Sequence, residues 1–142
     1  MAHTEDVVAI REVIDRYALG IDRRDWAMVA SCFTDDCTAD YGRSGRWTER
    51  YTFMSALAEM HAAVGPTLHR MSNHMIEVDG QGATAVSYLD ALLKVEHRSF
   101  DLLHVAAVYA DALIMRVGEW KITERRVEPF LWRREHASTP DP

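Results

Sequence analysis

The hydrophobic pattern of the chain changes once, near His69, from a helical repeat to a strand-like repeat. Before this point, apolar residues recur at the spacing of amphipathic helices. After it, long β-rich segments alternate with polar turns such as Asp79-Gly80-Gln81-Gly82. Helices followed by antiparallel hairpins are the order of an α+β fold. We therefore predict that the helices pack in a curved sheet, whose inner face becomes a cavity.

Two amphipathic helices are predicted in the first part of the chain. The apolar stripe of the first helix ends at Ile21, and Thr4 is its predicted cap. The second helix follows at once, with Asp22 or Asp25 as its cap, and residues 34–36 are expected to end it. The stretch from Tyr17 to Trp26, where the first helix ends and the second begins, puts the phenol of Tyr17 and the carboxylate of Asp22 on or beside an apolar surface.

A third helix is predicted between a cap at Thr48 and a break at Gly65-Pro66. One face of this helix carries Phe53, Leu57, Ala58, His61 and Val64. The predicted strands cover residues 37–41, 71–78, 83–95, 102–115 and 120–132. Pro129 has no backbone N–H, so it is expected at a sheet edge or at a bulge.

Length and charge narrow the classes of function. With 142 residues, the chain is expected to form one domain over residues 1–135 and a flexible tail over 136–142. Its formal net charge of −6 argues against a nucleic-acid partner, because phosphate binding needs a basic face. The apolar runs are shorter than a membrane span, and the polar N-terminus does not resemble a signal peptide. We therefore expect a cytoplasmic protein without a membrane partner.

The spacing of the cysteines and histidines does not predict a metal site. Cys32 and Cys37 lack further zinc ligands and are expected to be free thiols. His69 and His74 are an odd number of residues apart and would point to opposite faces of a regular strand. The basic cluster within residues 125–134 is expected at a solvated edge or a subunit contact.

Motifs in both halves of the chain resemble the SnoaL-like branch of the NTF2-like (cystatin-like) superfamily. The similar segments are Ile10-Arg11-Glu12, the run from Tyr17 to Trp26, Phe33-Thr34-Asp35-Asp36, His69-x-x-x-Asn73, Ile76-Glu77-Val78-Asp79-Gly80 and Gly118-Glu119-Trp120-Lys121-Ile122. The resemblance covers almost the whole chain. It implies a cone in which N-terminal helices pack in a curved antiparallel or mixed sheet around a pocket, and a homo-oligomer that is a dimer or a trimer. The fold hosts many chemistries, so the activity needs a separate argument.

Within the superfamily, the chain is similar to lyases of the scytalone dehydratase and bile acid 7α-dehydratase type, which use an Asp–His pair. Asp22 matches the carboxylate and His69 matches the histidine. Tyr17 and Tyr41 match tyrosines that members of this group use, and Asp90 falls near a further acid. The resemblance implies that these residues meet in one pocket.

Ketosteroid isomerases share the fold and imply a different assignment. They use a tyrosine in the first helix, which Tyr17 matches, and an aspartate base in the first strand, which Asp40 matches. They also use a protonated aspartate late in the sheet, which Asp111 matches. His69 favours the lyase pattern, because the isomerases do not need it.

The chemistry of an elimination explains why these residue types are candidates. A neutral imidazole suits the base, because histidine gains and loses a proton near working pH. A carboxylate bonded to the far ring nitrogen fixes the tautomer and stabilises the imidazolium. A tyrosine hydroxyl donates to the oxygen on which charge accumulates. These steps need no cofactor and no metal, which fits a sequence without a glycine-rich phosphate loop.

Each candidate also has a structural alternative. Asp22 could cap the second helix, Tyr17 could belong to the core, and His69 could be an exposed loop residue. Asp90 and Asp111 lie in apolar strands, so each is either a paired or protonated acid or a residue on a wet face. The candidates for substrate binding are Tyr41, Tyr109, Asn73, Phe53 and Leu57, with core packing or structural hydrogen bonds as the alternative.

We therefore predict a cofactor-independent, dehydratase-like lyase acting on a hydrophobic polycyclic, steroid-like or aromatic-derived ketone. His69 would be the base, Asp22 its orienting partner and Tyr17 the oxyanion donor. A ketosteroid-isomerase-like isomerase or polyketide cyclase with an aspartate base is the second hypothesis. The third is a non-catalytic ligand-binding or assembly subunit. A hydrogen bond between Asp22 and His69, beside an open apolar cavity, would favour the first.

Overall fold

The structure is a computed structural model that describes residues 2–97 and 100–136. Its helices are α1 (Ala2–Arg23), α2 (Trp26–Ser31) and α3 (Arg50–Ala62). Its strands are β1 (Phe33–Asp40), β2 (Arg46–Trp47), β3 (Thr67–Asp79), β4 (Gly82–Lys94), β5 (Leu102–Arg116) and β6 (Glu119–Glu135). The α+β prediction is confirmed. Of the predicted tail, residues 137–142 lie outside the described part of the chain.

The six strands form one curved, mixed sheet in the order β2-β1-β6-β5-β4-β3. Strands β1 and β6 are parallel, and the other neighbouring pairs are antiparallel. Helix α1 packs against β3 and β6 with the apolar stripe predicted from its spacing. Of the predicted stripe, Ile10, Ile14, Tyr17 and Ile21 are buried and Val7 is half-buried; Val13 and Ala18 of the same helix are also buried. The core therefore lies between α1 and the inner face of the sheet.

Carboxylates cap two of the helices. Asp25, and not Asp22, caps α2, because its Oδ1 accepts a hydrogen bond from the backbone N–H of Met28 at 3.0 Å. Glu49, and not Thr48, caps α3 with both of its carboxylate oxygens. Asp22 lies in the last turn of α1, which leaves its side chain available to β3.

Several predicted boundaries were wrong, two of them in the first part of the chain. Helix α1 begins at Ala2, before the predicted cap Thr4. Helix α2 ends at Ser31, before residues 34–36 that we expected to end it, and these residues instead belong to strand β1, which begins at Phe33. Phe33 pairs with Ile122 of β6, and the backbone N–H of Ile122 also donates to the carbonyl of Cys32 at 2.8 Å. Pairing with a distant strand therefore outweighs the local turn preference.

A bulge in β3 contradicts the prediction for His74. The register against β4 shifts between Ser72 and Met75, and Asn73 has a φ of 53°. The extra residue shifts the alternation of side chains, so His74 faces the helices. Its Nδ1 is 2.8 Å from the hydroxyl of Ser87 on the inner face of β4. His69 and His74 therefore point to the same side of the sheet.

Bulges in β6 have the same effect on the basic cluster. The register against β5 shifts beside Thr123, and Arg125 then faces inwards with none of its surface exposed. The expectation of a solvated edge or a subunit contact was wrong for this residue. A second shift of the strand register follows Pro129, in a part of β6 that has no β1 neighbour. Proline lacks a backbone N–H, and a bulge or an edge is where it was predicted.

Two further predictions concern the cysteines and the membrane. Cys32 and Cys37 are free, as predicted, and both are buried; burial raises the pKa of Cys37 to about 11. None of the described helices has the length and apolar character that a membrane crossing requires.

Candidate functional site

A cavity of about 310 Å³ lies between α1, α3 and the inner face of strands β4 to β6. Most of its wall is apolar, with Leu57, Met60, Val64, Leu89, Leu93, Leu103, Val105, Ala107, Val127, Pro129 and Trp132 among the lining residues. The polar lining residues are Tyr17, Tyr41, Ser44, His61, His69 and Tyr109. A few polar groups in an apolar cavity are typical of a small-molecule site.

Asp22 and His69 form a hydrogen-bonded pair at the wall of this cavity. Nδ1 of His69 is 2.7 Å from Oδ1 of Asp22, and the side chains are 8% and 14% exposed. The backbone N–H of His69 donates to Oδ2 of Asp22 at 2.8 Å. Two contacts between the same residues fix both the position and the tilt of the imidazole. The family resemblance implied this pair, whose two residues are 47 positions apart in the sequence.

Two polar side chains hold the carboxylate against β3. The hydroxyl of Thr67 donates to Oδ1 of Asp22 at 2.9 Å and accepts a hydrogen bond from Arg24 at 2.9 Å. Arg24 also donates to the carbonyl of Gly65 at 2.7 Å. It has a φ of 55°, which ends α1 and turns its side chain towards the start of β3. The end of α1 is thereby tied to the first residues of β3.

These contacts define the protonation of the pair. Burial raises the pKa of Asp22, but hydrogen bonds from the His69 side chain, the His69 backbone and Thr67 outweigh it, so its pKa is lowered overall. An ionised carboxylate only accepts, so Nδ1 of His69 carries the proton of the shared hydrogen bond. Nε2 of the neutral ring is then a free base, and no described residue is hydrogen-bonded to it.

Two tyrosine hydroxyls meet at the cavity. Tyr17 from α1 and Tyr41, just after β1, have their hydroxyl oxygens 2.9 Å apart. Burial raises the pKa of both phenols well above the usual value, so both are protonated donors. Phe53 is fully buried behind them, with its ring centroid 5.5 Å from that of Tyr41. Tyr109 packs edge-on against both tyrosines and also lines the cavity.

A buried ion pair supports the tyrosines. Nε and Nη2 of Arg125 donate to the two carboxylate oxygens of Asp111 at 2.7 and 2.8 Å. The guanidinium carbon lies 4.2 Å from the ring centroid of Tyr17 and 4.5 Å from that of Tyr109. Burial lowers the pKa of Arg125, but the charge and hydrogen bonds of Asp111 outweigh this effect, so the pKa is raised overall. Asp111 is thus an ionic partner of Arg125 and does not line the cavity.

Phe53, a predicted substrate-binding residue, does not line the cavity, and neither do Asp90, Asp40 and Asn73. Asp90 points to the outer face of the sheet, where it contacts Arg70 and His104 at 2.7 and 2.6 Å. Asp40 points outwards at the end of β1 and pairs with Arg46. Asn73 is exposed at the β3 bulge. Strand alternation, and the bulge in the case of Asn73, account for the positions of these three residues, which do not suit a role in the pocket.

Sequence reasoning gave no site role to His61, Thr67 or Arg125. The signal for His61 was its position on the apolar face of α3, four residues after Leu57. Thr67 and Arg125 gave no such signal, because their roles depend on helix docking and on a bulge. Within residues 2–97 and 100–136, no three His, Cys, Asp or Glu side chains are grouped as metal ligands.

Comparisons with known proteins identify the family. The SnoaL-like domain matches residues 2–126, whereas no curated protein sequence matches the chain. A scytalone dehydratase-like protein from Novosphingobium aromaticivorans DSM 12444 is 21% identical, with 100% of this chain and 97% of that chain covered and a TM-score of 0.85. Hexachlorocyclohexane dehydrochlorinase LinA-type3 from Novosphingobium barchaimii LL02 is 18% identical, with 97% of each chain covered and a TM-score of 0.85.

A protein with a cystatin-like fold from Nostoc punctiforme PCC 73102 is 21% identical, with 88% of this chain and 91% of that chain covered and a TM-score of 0.75. At these identities the likeness shows the fold, and the fold is the one that the sequence motifs predicted. The chain belongs to the SnoaL-like domain family and has its NTF2-like, cystatin-like fold.

Proposed function

We propose that the protein is a cofactor-independent lyase of the dehydratase type, with a hydrophobic ketone as substrate. The observation that carries the proposal is the 2.7 Å hydrogen bond between Asp22 and Nδ1 of His69, with the rest of the imidazole at the wall of an apolar cavity. The names of the structural neighbours support it, since a dehydratase and a dehydrochlorinase both catalyse eliminations.

The proposed reaction begins with a carbon acid. Nε2 of His69 removes a proton from the carbon next to a ketone, and Asp22 stabilises the imidazolium that results. The electron pair of the broken C–H bond moves towards the carbonyl oxygen. Tyr17 donates its hydroxyl proton to that oxygen, where the negative charge accumulates, and the hydroxyl of Tyr41 donates in turn to the oxygen of Tyr17.

The second step expels the leaving group. The enolate electrons form a carbon–carbon double bond as the β-carbon loses its hydroxyl group. The imidazolium of His69 returns its proton to the departing oxygen, so that water leaves and the base is restored. The same pair would also serve the loss of chloride from a carbon acid, because chloride needs no proton to depart.

The cavity limits the class of substrate. Its volume of about 310 Å³ and its aliphatic wall suit a compact bicyclic or similar apolar skeleton with few polar groups. The buried tyrosine hydroxyls suit a single carbonyl oxygen. We therefore expect a β-hydroxy ketone on a fused-ring or aromatic-derived frame.

A direct test uses 3-hydroxy-1-tetralone, a bicyclic β-hydroxy ketone that yields 1-naphthol and water on dehydration. The wild-type protein is expected to accelerate formation of 1-naphthol, measured by absorbance, and His69→Gln is expected to abolish most of that acceleration. Related fused-ring β-hydroxy ketones extend the screen. Acceleration that survives in His69→Gln would contradict the assigned base. Tight binding of these ketones without turnover would favour a ligand-binding role.

A further inference from the structure

We propose that His61 is a second ligand-binding imidazole, whose Nε2 accepts a hydrogen bond from a hydroxyl group that the substrate carries near the atom attacked by His69. The inference rests on the proposed function, because it uses the same cavity. It narrows the substrate class to hydrophobic ketones that carry an additional hydroxyl donor. It assigns His61 to specificity, and the chemistry stays with His69.

The position of His61 supports this role. His61 lines the cavity from α3, and its ring centroid is 5.9 Å from that of His69, with the planes inclined at 47°. On another side its ring packs against Trp26, with the centroids 5.8 Å apart. The two imidazoles are neighbours in the same wall, so one small ligand can contact both.

The hydrogen bond of His61 defines which ring atom is available. Nδ1 is 2.7 Å from the carbonyl oxygen of Leu57, one turn earlier in α3. A carbonyl oxygen only accepts, so Nδ1 carries a proton and donates it. Nε2, on the far side of the ring, then keeps its lone pair when the ring is neutral. No side chain in the described part of the protein is hydrogen-bonded to it.

The surroundings favour the neutral ring. Burial is the largest influence on the pKa of His61 and lowers it, and the neighbouring His69 and Arg24 lower it further. The Leu57 carbonyl and Asp22 raise this pKa, but the net shift is downward. At neutral pH the group that faces the ligand is therefore an acceptor without a charge. His61 is half-buried in an apolar wall, and a bound ligand that offers its Nε2 no donor is penalised, because the acceptor loses water without gaining a partner.

Equilibrium binding separates this role from packing. The probes are 1-naphthol and a set of dihydroxynaphthalenes, which have the same skeleton and differ by one hydroxyl donor. In the wild-type protein, the best diol is expected to bind roughly three- to tenfold more tightly than 1-naphthol, the contribution of one hydrogen bond. His61→Phe keeps an aromatic ring beside Trp26 and should remove this gain. His61→Gln, which carries a polar group near the position of Nε2, should retain part of it.

The outcomes separate the two proposals. A diol gain that is unchanged in His61→Phe, or no gain for any diol in the wild-type protein, would overturn the role of His61. His69→Gln should keep the gain, which assigns the extra hydroxyl to His61. If the gain depends on His61 but no ketone is dehydrated, the lyase proposal fails while the binding role stands. Circular dichroism of each variant confirms folding, and His61→Leu replaces His61→Phe if that variant does not fold.

Discussion

The residues of the site owe their chemistry to the hydrogen bonds that orient them. Asp22 accepts from the backbone and side chain of His69 and from Thr67, so it is held ionised at the Nδ1 edge of the imidazole. These bonds leave one ring nitrogen available as a base. The resemblance in the sequence predicted Asp22 and His69, because both lie in recognisable motifs. It could not predict Thr67, which becomes a partner only when α1 docks on β3.

The substitution Asp22→Asn tests the orienting carboxylate. Asparagine keeps the size of the side chain but removes its charge, so the imidazolium loses its stabilising partner. We expect kcat for dehydration to fall roughly 10²- to 10⁴-fold. Steady-state kinetics measure this, with Asp25→Asn as the matched control because asparagine also caps a helix. Equal activity of the two variants would remove Asp22 from the mechanism.

The tyrosine pair is tested by Tyr17→Phe and Tyr41→Phe. Each variant removes one hydroxyl and keeps the ring, so the cavity wall is preserved. We expect Tyr17→Phe to lower kcat about 10²-fold, the usual effect of one oxyanion donor, and Tyr41→Phe to lower it less, because Tyr41 acts through Tyr17. The double variant should lose less than the product of the two, because each hydroxyl orients the other at 2.9 Å. A rise in KM with kcat unchanged would instead indicate ground-state binding alone.

At the scale of elements, the helices and the long strands follow from the sequence, but the direction in which their side chains face does not. Apolar spacing correctly predicted three helices and the long hairpins. One-residue bulges at Asn73 and Thr123 then reverse the alternation, which carries His74 and Arg125 to the inner face. Bulges have weak sequence signals, and this is why Arg125 was expected at the surface.

The ion pair between Arg125 and Asp111 connects β6 to β5 beneath the tyrosines. Arg125→Met leaves a buried carboxylate without a partner, so we expect a loss of roughly 3–5 kcal/mol in the free energy of unfolding. The double variant Arg125→Met/Asp111→Leu should be more stable than Arg125→Met alone, because no charge is then left unpaired. Urea unfolding measures both. A double variant that loses the sum of the two single losses would contradict this account.

At the scale of the whole molecule, one sheet surrounds the cavity and presents its other face to solvent. The outer face exposes large apolar side chains, among them Phe130 at 82% and Tyr88 at 50%. The homo-oligomer that the family resemblance implies stays a prediction. The overall fold was predictable because the motifs span the chain, whereas the contents of each face depend on register.

Stability of the whole molecule is expected to fall as the pH decreases from 7. Burial lowers the pKa of His61 and His74, so the unfolded chain binds more protons than the native one below about pH 6.5. Asp22, whose pKa is also lowered, adds a further loss at lower pH, below its unfolded value of about 3.9. Urea unfolding from pH 7 to 5 measures the first part. His74→Gln should flatten that slope, and the exposed His3→Gln should not.

The most direct test of the central claim, that His69 is a base held by Asp22 in a substrate cavity, is proton exchange on a ketone that cannot eliminate. 1-Tetralone in D₂O, followed by NMR, reports exchange at the carbon next to its carbonyl. The wild-type protein should accelerate this exchange, Asp22→Asn should reduce the acceleration, and His69→Gln should abolish it. No acceleration by the wild-type protein, or equal acceleration by His69→Gln, would contradict the claim.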